Sequence, residues 1–174
     1  MRLLSVLFVV LTVLVLGPGS AVAADRDLHD YWDARCASCH GHAGQFARKF
    51  LRVENGKLIG THHRDNLATF MRNHHLTPDL YEPAMAMLKA QASSPPLFNS
   101  KCSGCHDTAA EFARKSLEIK NGVLTGRTSG KPVSEYLKKH GKVTPEEAAS
   151  LVQTLTRVLG EVRVSVAANY TTFR

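Results

Sequence analysis

The chain repeats itself, and this repeat restricts the fold to two similar units in tandem. Shifting the sequence by 66 residues places residues 36–74 over residues 102–140, and 14 of the 39 aligned positions are then identical without a gap. The phrase FARKFLRVENGKLIG (46–60) lies over FARKSLEIKNGVLTG (112–126). Similarity over this length indicates an internal duplication, and we expect each copy to form one structural unit.

The repeat and the local composition together predict the boundaries of these units. A first module covers residues 25–92, the sequence SSPP at 93–96 forms a linker, and a second module covers residues 97–160. Residues 161–174 form a C-terminal tail in which apolar and polar residues alternate as in a strand. Each module has about 65 residues, which is small for an unaided hydrophobic core.

Residues 1–24 differ from the rest of the chain. One arginine precedes a nearly unbroken apolar run, and small residues follow in the sequence SAVAA. This order is typical of a secretory signal peptide, so we expect an exported protein in the periplasm. The alternative is an uncleaved N-terminal membrane anchor, but the apolar run is shorter than the about 20 residues that a membrane-spanning helix needs. We expect no stable membrane span after cleavage.

Composition and charge limit the classes of partner. The chain is 44% hydrophobic and 21% charged, which is typical of a globular protein, and its formal net charge is +7. The lysines and arginines are scattered, without a basic run or an aromatic platform for bases, so a nucleic-acid role is not expected. A mild positive field favours association with partners that carry acidic surfaces.

All four cysteines occur in two copies of the pattern C-x-x-C-H, which are CASCH at 36–40 and CSGCH at 102–106. Exported cysteines usually form disulfides, and paired C-x-x-C motifs also bind zinc or act as redox dithiols. The histidine that follows each pair favours a third chemistry, because C-x-x-C-H is the attachment signal of c-type haem. The predicted haem-attaching thiols are those of Cys36, Cys39, Cys102 and Cys105, and the predicted fifth iron ligands are His40 and His106.

The sixth ligand of each iron is predicted from spacing. In the second module His140 is the one histidine after His106, and no methionine follows Met87, so histidine–methionine ligation within that module is impossible. His74 follows His40 by 34 residues, and His140 follows His106 by the same interval. The retained spacing predicts that both haems are six-coordinate with two histidine ligands.

The first module leaves alternatives open. His75 adjoins His74 and could replace it as the ligand. A methionine ligand is also available there from Met71, Met85 or Met87, although Met71 and Met85 align with apolar residues and so favour core packing. For His140, the alternative is an exposed polar residue that precedes a helix.

Four other polar residues near the motifs are not assigned as ligands. His62 and His63 align with threonine and serine in the second module, so we expect them at the surface or at a hairpin end, with an occasional metal contact as the alternative. Arg48 and Arg114 recur at equivalent positions. Each is expected either to pair with a haem propionate or to lie on a solvated helix face.

The expected fold is mostly α, with the same elements in each module. A helix carries the C-x-x-C-H motif near its C-terminal end, a short helix and a possible β-hairpin follow, and two further helices flank the predicted sixth ligand. The supporting signals are short helices near 45–51 and 111–117, Asn-Gly turns at 55–56 and 121–122, helices near 67–73 and 133–139, and Thr-Pro helix starts at 77–78 and 144–145.

This arrangement resembles the class I cytochrome c fold in tandem. The resemblance rests on the two C-x-x-C-H motifs and on a sixth ligand in the loop before a last amphipathic helix, and it covers essentially the whole mature chain. It implies a dihaem cytochrome c with two covalently bound haems. The chain departs from the family where histidine replaces the usual methionine, which suggests lower reduction potentials.

The expected function is therefore electron transfer rather than enzymatic catalysis. The chain would carry electrons between periplasmic or membrane redox partners, with both irons closed by histidine. The alternative is a peroxidase-like haem enzyme or a gas-binding haem protein in which one axial ligand is labile.

Overall fold

The computed structural model describes residues 24–166. The predicted signal peptide therefore lies outside the described residues except for Ala24, and so does the end of the predicted tail, residues 167–174. Across residues 24–166, no helix is both long and apolar enough to cross a membrane.

The described part of the chain is mostly helical, as predicted. The first half contains β1 (Ala24–Arg26), α1 (Leu28–Arg35), α2 (Ala37–His40), α3 (Ala43–Phe50), β2 (Leu51–Glu54), β3 (Lys57–Gly60), α4 (Leu67–Arg72) and α5 (Pro78–Ser93). The second half contains α6 (Leu97–Lys101), α7 (Ala109–Ser116), β4 (Leu117–Lys120), β5 (Val123–Gly126), α8 (Val133–Leu137), α9 (Pro145–Glu161) and β6 (Val164–Val166). In both halves a helix, a hairpin, a short helix and a long helix follow the C-x-x-C-H motif in the same order.

The two predicted hairpins are present, and each turns at its Asn-Gly pair. Strand β2 pairs with β3, and β4 pairs with β5, both antiparallel. The φ angles are 49° at Asn55 and 74° at Gly56, and 51° at Asn121 and 75° at Gly122. Two consecutive positive φ angles define the two-residue turn whose twist matches a hairpin, and Asn-Gly is the pair that adopts it most readily.

The long helices begin where their Thr-Pro pairs predict. Helix α9 starts at Pro145, and Thr144 and Glu147 form a complete capping box. Helix α5 starts at Pro78 after Thr77, although the Thr77 side chain makes no capping hydrogen bond. Pro at the first helical position removes an N–H group that would otherwise lack a helical partner.

The segment before each motif differs between the halves. In the first half α1 and α2 carry CASCH on helix, as expected, whereas in the second half α6 ends at Lys101 and residues 102–106 form turns. The helical prediction over CSGCH is therefore wrong. Gly104 occupies the position of Ser38, and glycine loses more backbone entropy than serine when it enters a helix.

Each half has its own hydrophobic core. Leu80, Met87 and Leu88 are buried in the first cluster, and Leu151 and Leu155 are buried in the second. The two long helices α5 and α9 supply these residues, because their apolar side chains recur at intervals of three and four. The shorter elements of each half therefore pack against its long helix.

The two ends of the described chain join the halves. Strand β1 pairs antiparallel with β6, and Val164 of β6 packs against the core of the first half. The His29 ring lies 2.9 Å from a carboxylate oxygen of Glu161 at the end of α9. The alternating pattern of the tail thus predicts a strand correctly at 164–166, but its partner near Ala24 has no local signal.

Arg114 is a second link between the halves. Its Nε donates to Asp27 at 2.6 Å, one Nη donates to Asp30 at 2.6 Å, and the other donates to Glu111 at 2.8 Å. Arg114 therefore does not lie on a freely solvated helix face, because three carboxylates accept hydrogen bonds from its donors. Pairing of Arg114 with a haem propionate stays a prediction. Arg48, the equivalent residue in the first half, is exposed.

Candidate functional site

Two cavities lie at equivalent places in the two halves, and each contains one predicted ligand set. The first has a volume of about 560 Å³ and is lined by Cys36, Cys39, His40 and His74 among other residues. The second has a volume of about 610 Å³ and is lined by Cys102, Cys105, His106 and His140 among other residues. Both volumes are in the range of small-molecule sites, about 300–1,000 Å³.

In the first cavity, aromatic rings hold the histidine of the C-x-x-C-H motif. The ring centroid of His40 lies 6.2 Å from that of Trp32 and 4.7 Å from that of Phe46. Trp32 is itself fixed, because its Nε1 donates a hydrogen bond of 2.8 Å to the carbonyl oxygen of Gly41. These contacts exclude water from one side of His40 and restrict its ring orientation.

The second cavity repeats this packing at positions 66 residues further along the chain. The ring of His106 lies 6.4 Å from Phe98 and 4.6 Å from Phe112. The two rings that support the histidine are 5.7 Å apart, compared with 5.4 Å between Trp32 and Phe46 in the first half. The aromatic supports therefore recur with nearly the same geometry.

His74 faces His40 across the first cavity, with ring centroids 6.0 Å apart. It follows α4, and Phe70 of that helix stacks on its ring at 4.6 Å with an interplanar angle of 24°. His63 stacks on the far side of Phe70 at 3.9 Å. Three rings in a row thus fix the position of His74.

His140 faces His106 in the same way, with ring centroids 6.1 Å apart. Tyr136 of α8 is its aromatic neighbour, at 4.7 Å with an interplanar angle of 39°. Tyr136 occupies the position of Phe70 in the repeat, so the residue that packs beside the predicted sixth ligand is aromatic in both halves.

The separation of the paired rings suits one metal ion between them. A bond from a first-row metal to an imidazole nitrogen is about 2.0 Å, and the nitrogen lies about 1.1 Å from its ring centre, so two imidazoles on opposite sides of one metal have centroids about 6.2 Å apart. The observed values are 6.0 Å and 6.1 Å. Within residues 24–166, no three His, Cys, Asp or Glu side chains form a metal-binding group. A porphyrin supplies the four other ligands itself, so the residues present fit a haem in each cavity.

The four cysteines are free thiols. Burial raises the pKa of Cys36 and the pKa of Cys102, while Cys39 and Cys105 are exposed. Redox-active C-x-x-C pairs instead contain a thiol whose pKa is lowered by its surroundings. The raised pKa of Cys36 and of Cys102 does not favour either of these two as a reactive thiolate, whereas a thiol beside a cavity is suitably placed for attachment to a group inside it.

The pKa of His74 is lowered, first by burial and then by the nearby rings of His75, His40 and His63. A lowered pKa keeps the imidazole neutral at pH 7, and a neutral imidazole has a free nitrogen lone pair for a metal. The local electrostatics thus agree with a ligand role for His74.

The alternatives in the first half occupy different surroundings. His75 lines the cavity but is exposed, and its backbone carbonyl accepts a hydrogen bond of 2.6 Å from Tyr31. Met71, Met85 and Met87 all line the cavity; Met87 is 1% exposed and belongs to the hydrophobic core, against which Met71 and Met85 pack. His74 is the residue whose ring lies opposite His40.

The sequence patterns did not identify several residues that contribute to the site. Phe46, Phe112 and Phe70 were not singled out, although the identical phenylalanines at 46 and 112 were a usable signal. His62 and His63 follow the end of the hairpin at Gly60, and His62 is exposed, as expected; both residues also line the first cavity. No counterpart in the repeat indicated that His63 would stack beside Phe70.

Comparison with models of known protein families gives no match to this chain. No curated protein and no solved structure matches it either.

Proposed function

We propose that the chain is an exported dihaem c-type cytochrome that carries electrons between redox partners. Each half would hold one haem, attached through its two cysteines and ligated by two histidines. The two halves would be cytochrome c-like modules that arose by internal duplication. This proposal extends the resemblance to class I cytochrome c, and it differs from typical members in the sixth ligand.

One observation carries the proposal. In each half the histidine of a C-x-x-C-H motif lies across a cavity from a second histidine, at 6.0 Å and 6.1 Å between ring centroids. The motif is the attachment signal of c-type haem, and the ring separation is the one that a shared metal requires. The motif and the ring separation occur together in both halves.

The residues around each cavity have distinct roles in such a carrier. A haem supplies reversible one-electron chemistry at its iron. His40 with His74 and His106 with His140 would hold the axial positions, and the thiols would anchor the group covalently. The aromatic and aliphatic lining would keep water out, so that little reorganisation accompanies each electron transfer.

The expected surroundings of the protein follow from its charge and its N-terminal sequence. The formal net charge of +7 favours a transient encounter with acidic surfaces. The rim of the second cavity includes Lys101, Lys131 and Lys142, which lie where a partner could approach its contents. We therefore assign the chain to the periplasm, with redox proteins that bear acidic surfaces as its donors and acceptors and without nucleic-acid binding.

A potentiometric titration of the purified holo-protein tests this function. The carrier is expected to take up two electrons in two reversible one-electron steps, one for each haem. Both potentials should lie below those of haems with histidine–methionine ligation, because methionine raises the potential. Irreversible reduction, or a single electron per chain, would contradict the proposal.

A further inference from the structure

The two predicted sixth ligands are held by their surroundings to different degrees. His74 is partly buried, whereas His140 is exposed. The ring centroids are 6.0 Å apart in the first histidine pair and 6.1 Å apart in the second, so the two pairs have nearly the same separation. The difference in exposure therefore comes from the loops that carry His74 and His140.

Three contacts restrain the His74 loop. Phe70 stacks directly on the His74 ring, and His63 stacks on the other face of Phe70. On the other side of the ligand, the hydroxyl of Tyr31 donates to the backbone carbonyl of His75 at 2.6 Å. Tyr31 belongs to α1, so this bond ties the ligand loop to the helix that leads into the first C-x-x-C-H motif.

The repeat shows that the second half lacks two of these restraints and has a more exposed form of the third. The position of Tyr31 is occupied by Leu97, which has no hydroxyl group, and the position of His63 is occupied by Ser129, which has no ring. Tyr136 replaces Phe70 but is 55% exposed, and its ring is tilted by 39° from that of His140. His140 therefore has a weaker aromatic support than His74.

The backbone after the second ligand is also looser. His75 is replaced by Gly141, and the segment from His140 to the start of α9 is one residue longer than the segment from His74 to the start of α5. The φ angle is positive at both equivalent positions, 56° at His75 and 82° at Gly141, and in the second loop the next residue, Lys142, is at 48° as well. Glycine adopts many backbone conformations at low cost, so this loop can move its histidine with little resistance.

We propose that the two irons are not equivalent: the second haem exchanges His140 for a small neutral diatomic ligand, while the first stays closed by His74. This inference rests on the proposed dihaem function and adds a ligand-binding site to it. The chain would then combine one permanent electron-transfer centre with one centre whose ligation responds to a dissolved molecule.

The test uses carbon monoxide as the probe with the reduced, full-length holo-protein. Optical titration should show that one carbon monoxide binds per chain, on a protein whose two haems are both low-spin before the addition. Binding of two molecules, or of none, would overturn the inference. None, with both haems low-spin, would leave the two-histidine carrier intact, whereas high-spin haems before the addition would contradict the carrier itself.

Two ligand variants identify which haem opens. In the His140→Ala protein the count should stay at one, because the same iron is open in both proteins. In the His74→Ala protein the count should rise to two. The reverse pattern, two in His140→Ala and one in His74→Ala, would place the labile ligand in the first half and overturn the inference. Covalent haem content, two per chain in every variant, shows that the variants have folded and matured.

The rate of binding gives a second readout. If the His140 loop is open for about 1–10% of the time, its removal should speed carbon monoxide binding about 10- to 100-fold. An equal rate in the parent and in His140→Ala would mean that His140 never closes the iron, which would overturn the exchange. Binding of one carbon monoxide by His140→Ala, with the first haem still closed by His74, supports the exchange of His140.

A grafted variant tests the cause of the difference. The double substitution Tyr31→Leu with His63→Ser gives the first half the residues of the second, and neither residue is a proposed iron ligand. The count of bound carbon monoxide should rise from one toward two. The control is Arg48→Ala, an exposed change in the same half, which should leave the count at one. An unchanged count in the double variant would show that these contacts do not close the first haem.

Discussion

The imidazole rings of His40 and His74 lie opposite each other across the first cavity, with centroids 6.0 Å apart. Phe46 packs beside one ring at 4.7 Å, and Phe70 stacks on the other at 4.6 Å. The pair is thus positioned by side chains on α3 and α4, and it is repeated by His106 and His140 in the second half. A pair of preoriented imidazoles is what a six-coordinate haem iron needs.

Replacing His74 separates the two candidate ligands of the first half. His74→Ala should keep both haems attached but turn one of them high-spin or water-ligated, because attachment depends on the cysteines. His75→Ala should leave both haems low-spin, because its ring is not the one opposite His40. Absorption and electron paramagnetic resonance spectra of the two proteins, measured side by side, check this. Loss of a low-spin signal in His75→Ala alone would assign the ligand to His75.

Removing one pair of thiols should remove one haem. In the double variant Cys102→Ala with Cys105→Ala, the mass of the denatured chain should carry one covalent haem instead of two. The matched control is Ser103→Ala, which changes a residue inside the same motif without touching a thiol and should keep two. Two haems on the cysteine variant would refute attachment through this motif.

The methionines of the first half should be replaceable without loss of ligation. Met87 lies in the hydrophobic core, so Met85→Leu with Met87→Leu conserves volume and should cost less than about 1.5 kcal/mol per site. The low-spin spectrum of both haems should be unchanged. Met87→Ala, in contrast, should lower the free energy of unfolding by about 2–5 kcal/mol because it leaves a cavity. A shift of one haem to high spin in the leucine variant would identify a methionine ligand.

Arg114 should stabilise the contact between the halves. Arg114→Ala removes charged hydrogen bonds to Asp27 and Asp30, and it should lower the free energy of unfolding by about 1–3 kcal/mol at pH 7. The control Arg48→Ala, at the equivalent exposed position, should change it by less than about 0.5 kcal/mol. Denaturant unfolding of both variants measures the two changes in free energy, and equal changes would contradict a stabilising role for Arg114 between the halves.

The effect of Arg114 should depend on pH. Burial alone would raise the pKa of Asp27, but hydrogen bonds from Arg114 and from the backbone of α1 outweigh it and hold the pKa below its ordinary value. A carboxyl group with a lowered pKa stabilises the fold above its unfolded pKa of about 3.9, and this contribution is lost as the pH falls through the folded value. The penalty of Arg114→Ala should therefore shrink below about pH 4. A penalty that grows in acid would contradict this ion pair.

Local signals in the sequence were sufficient for much of the fold. The turns at Asn55 and Asn121 and the start of α9 at Thr144 were predicted because each depends on a few neighbouring residues. His74 lies opposite His40, and His140 lies opposite His106, as expected from their equal spacing in the two copies of the repeat. Their role as iron ligands stays a prediction.

The contacts that sequence patterns missed join distant parts of the chain. Arg114 and Asp27 are 87 residues apart, and β1 pairs with a strand at the other end of the described chain. The repeat did not indicate that Arg114 would pair with Asp27 and Asp30, because the equivalent Arg48 forms no such ion pair within residues 24–166. Similarly, His63 became part of the site through a stacking contact that has no counterpart in the second half.

The absorption spectrum of the purified holo-protein, recorded oxidised and then reduced, tests most directly whether two histidines ligate each haem iron. We expect two c-type haems per chain, both low-spin and six-coordinate in both states, with no band that reports methionine bound to iron. A protein without covalent haem, or one with both haems high-spin as purified, would contradict the central claim that two facing histidines close each iron.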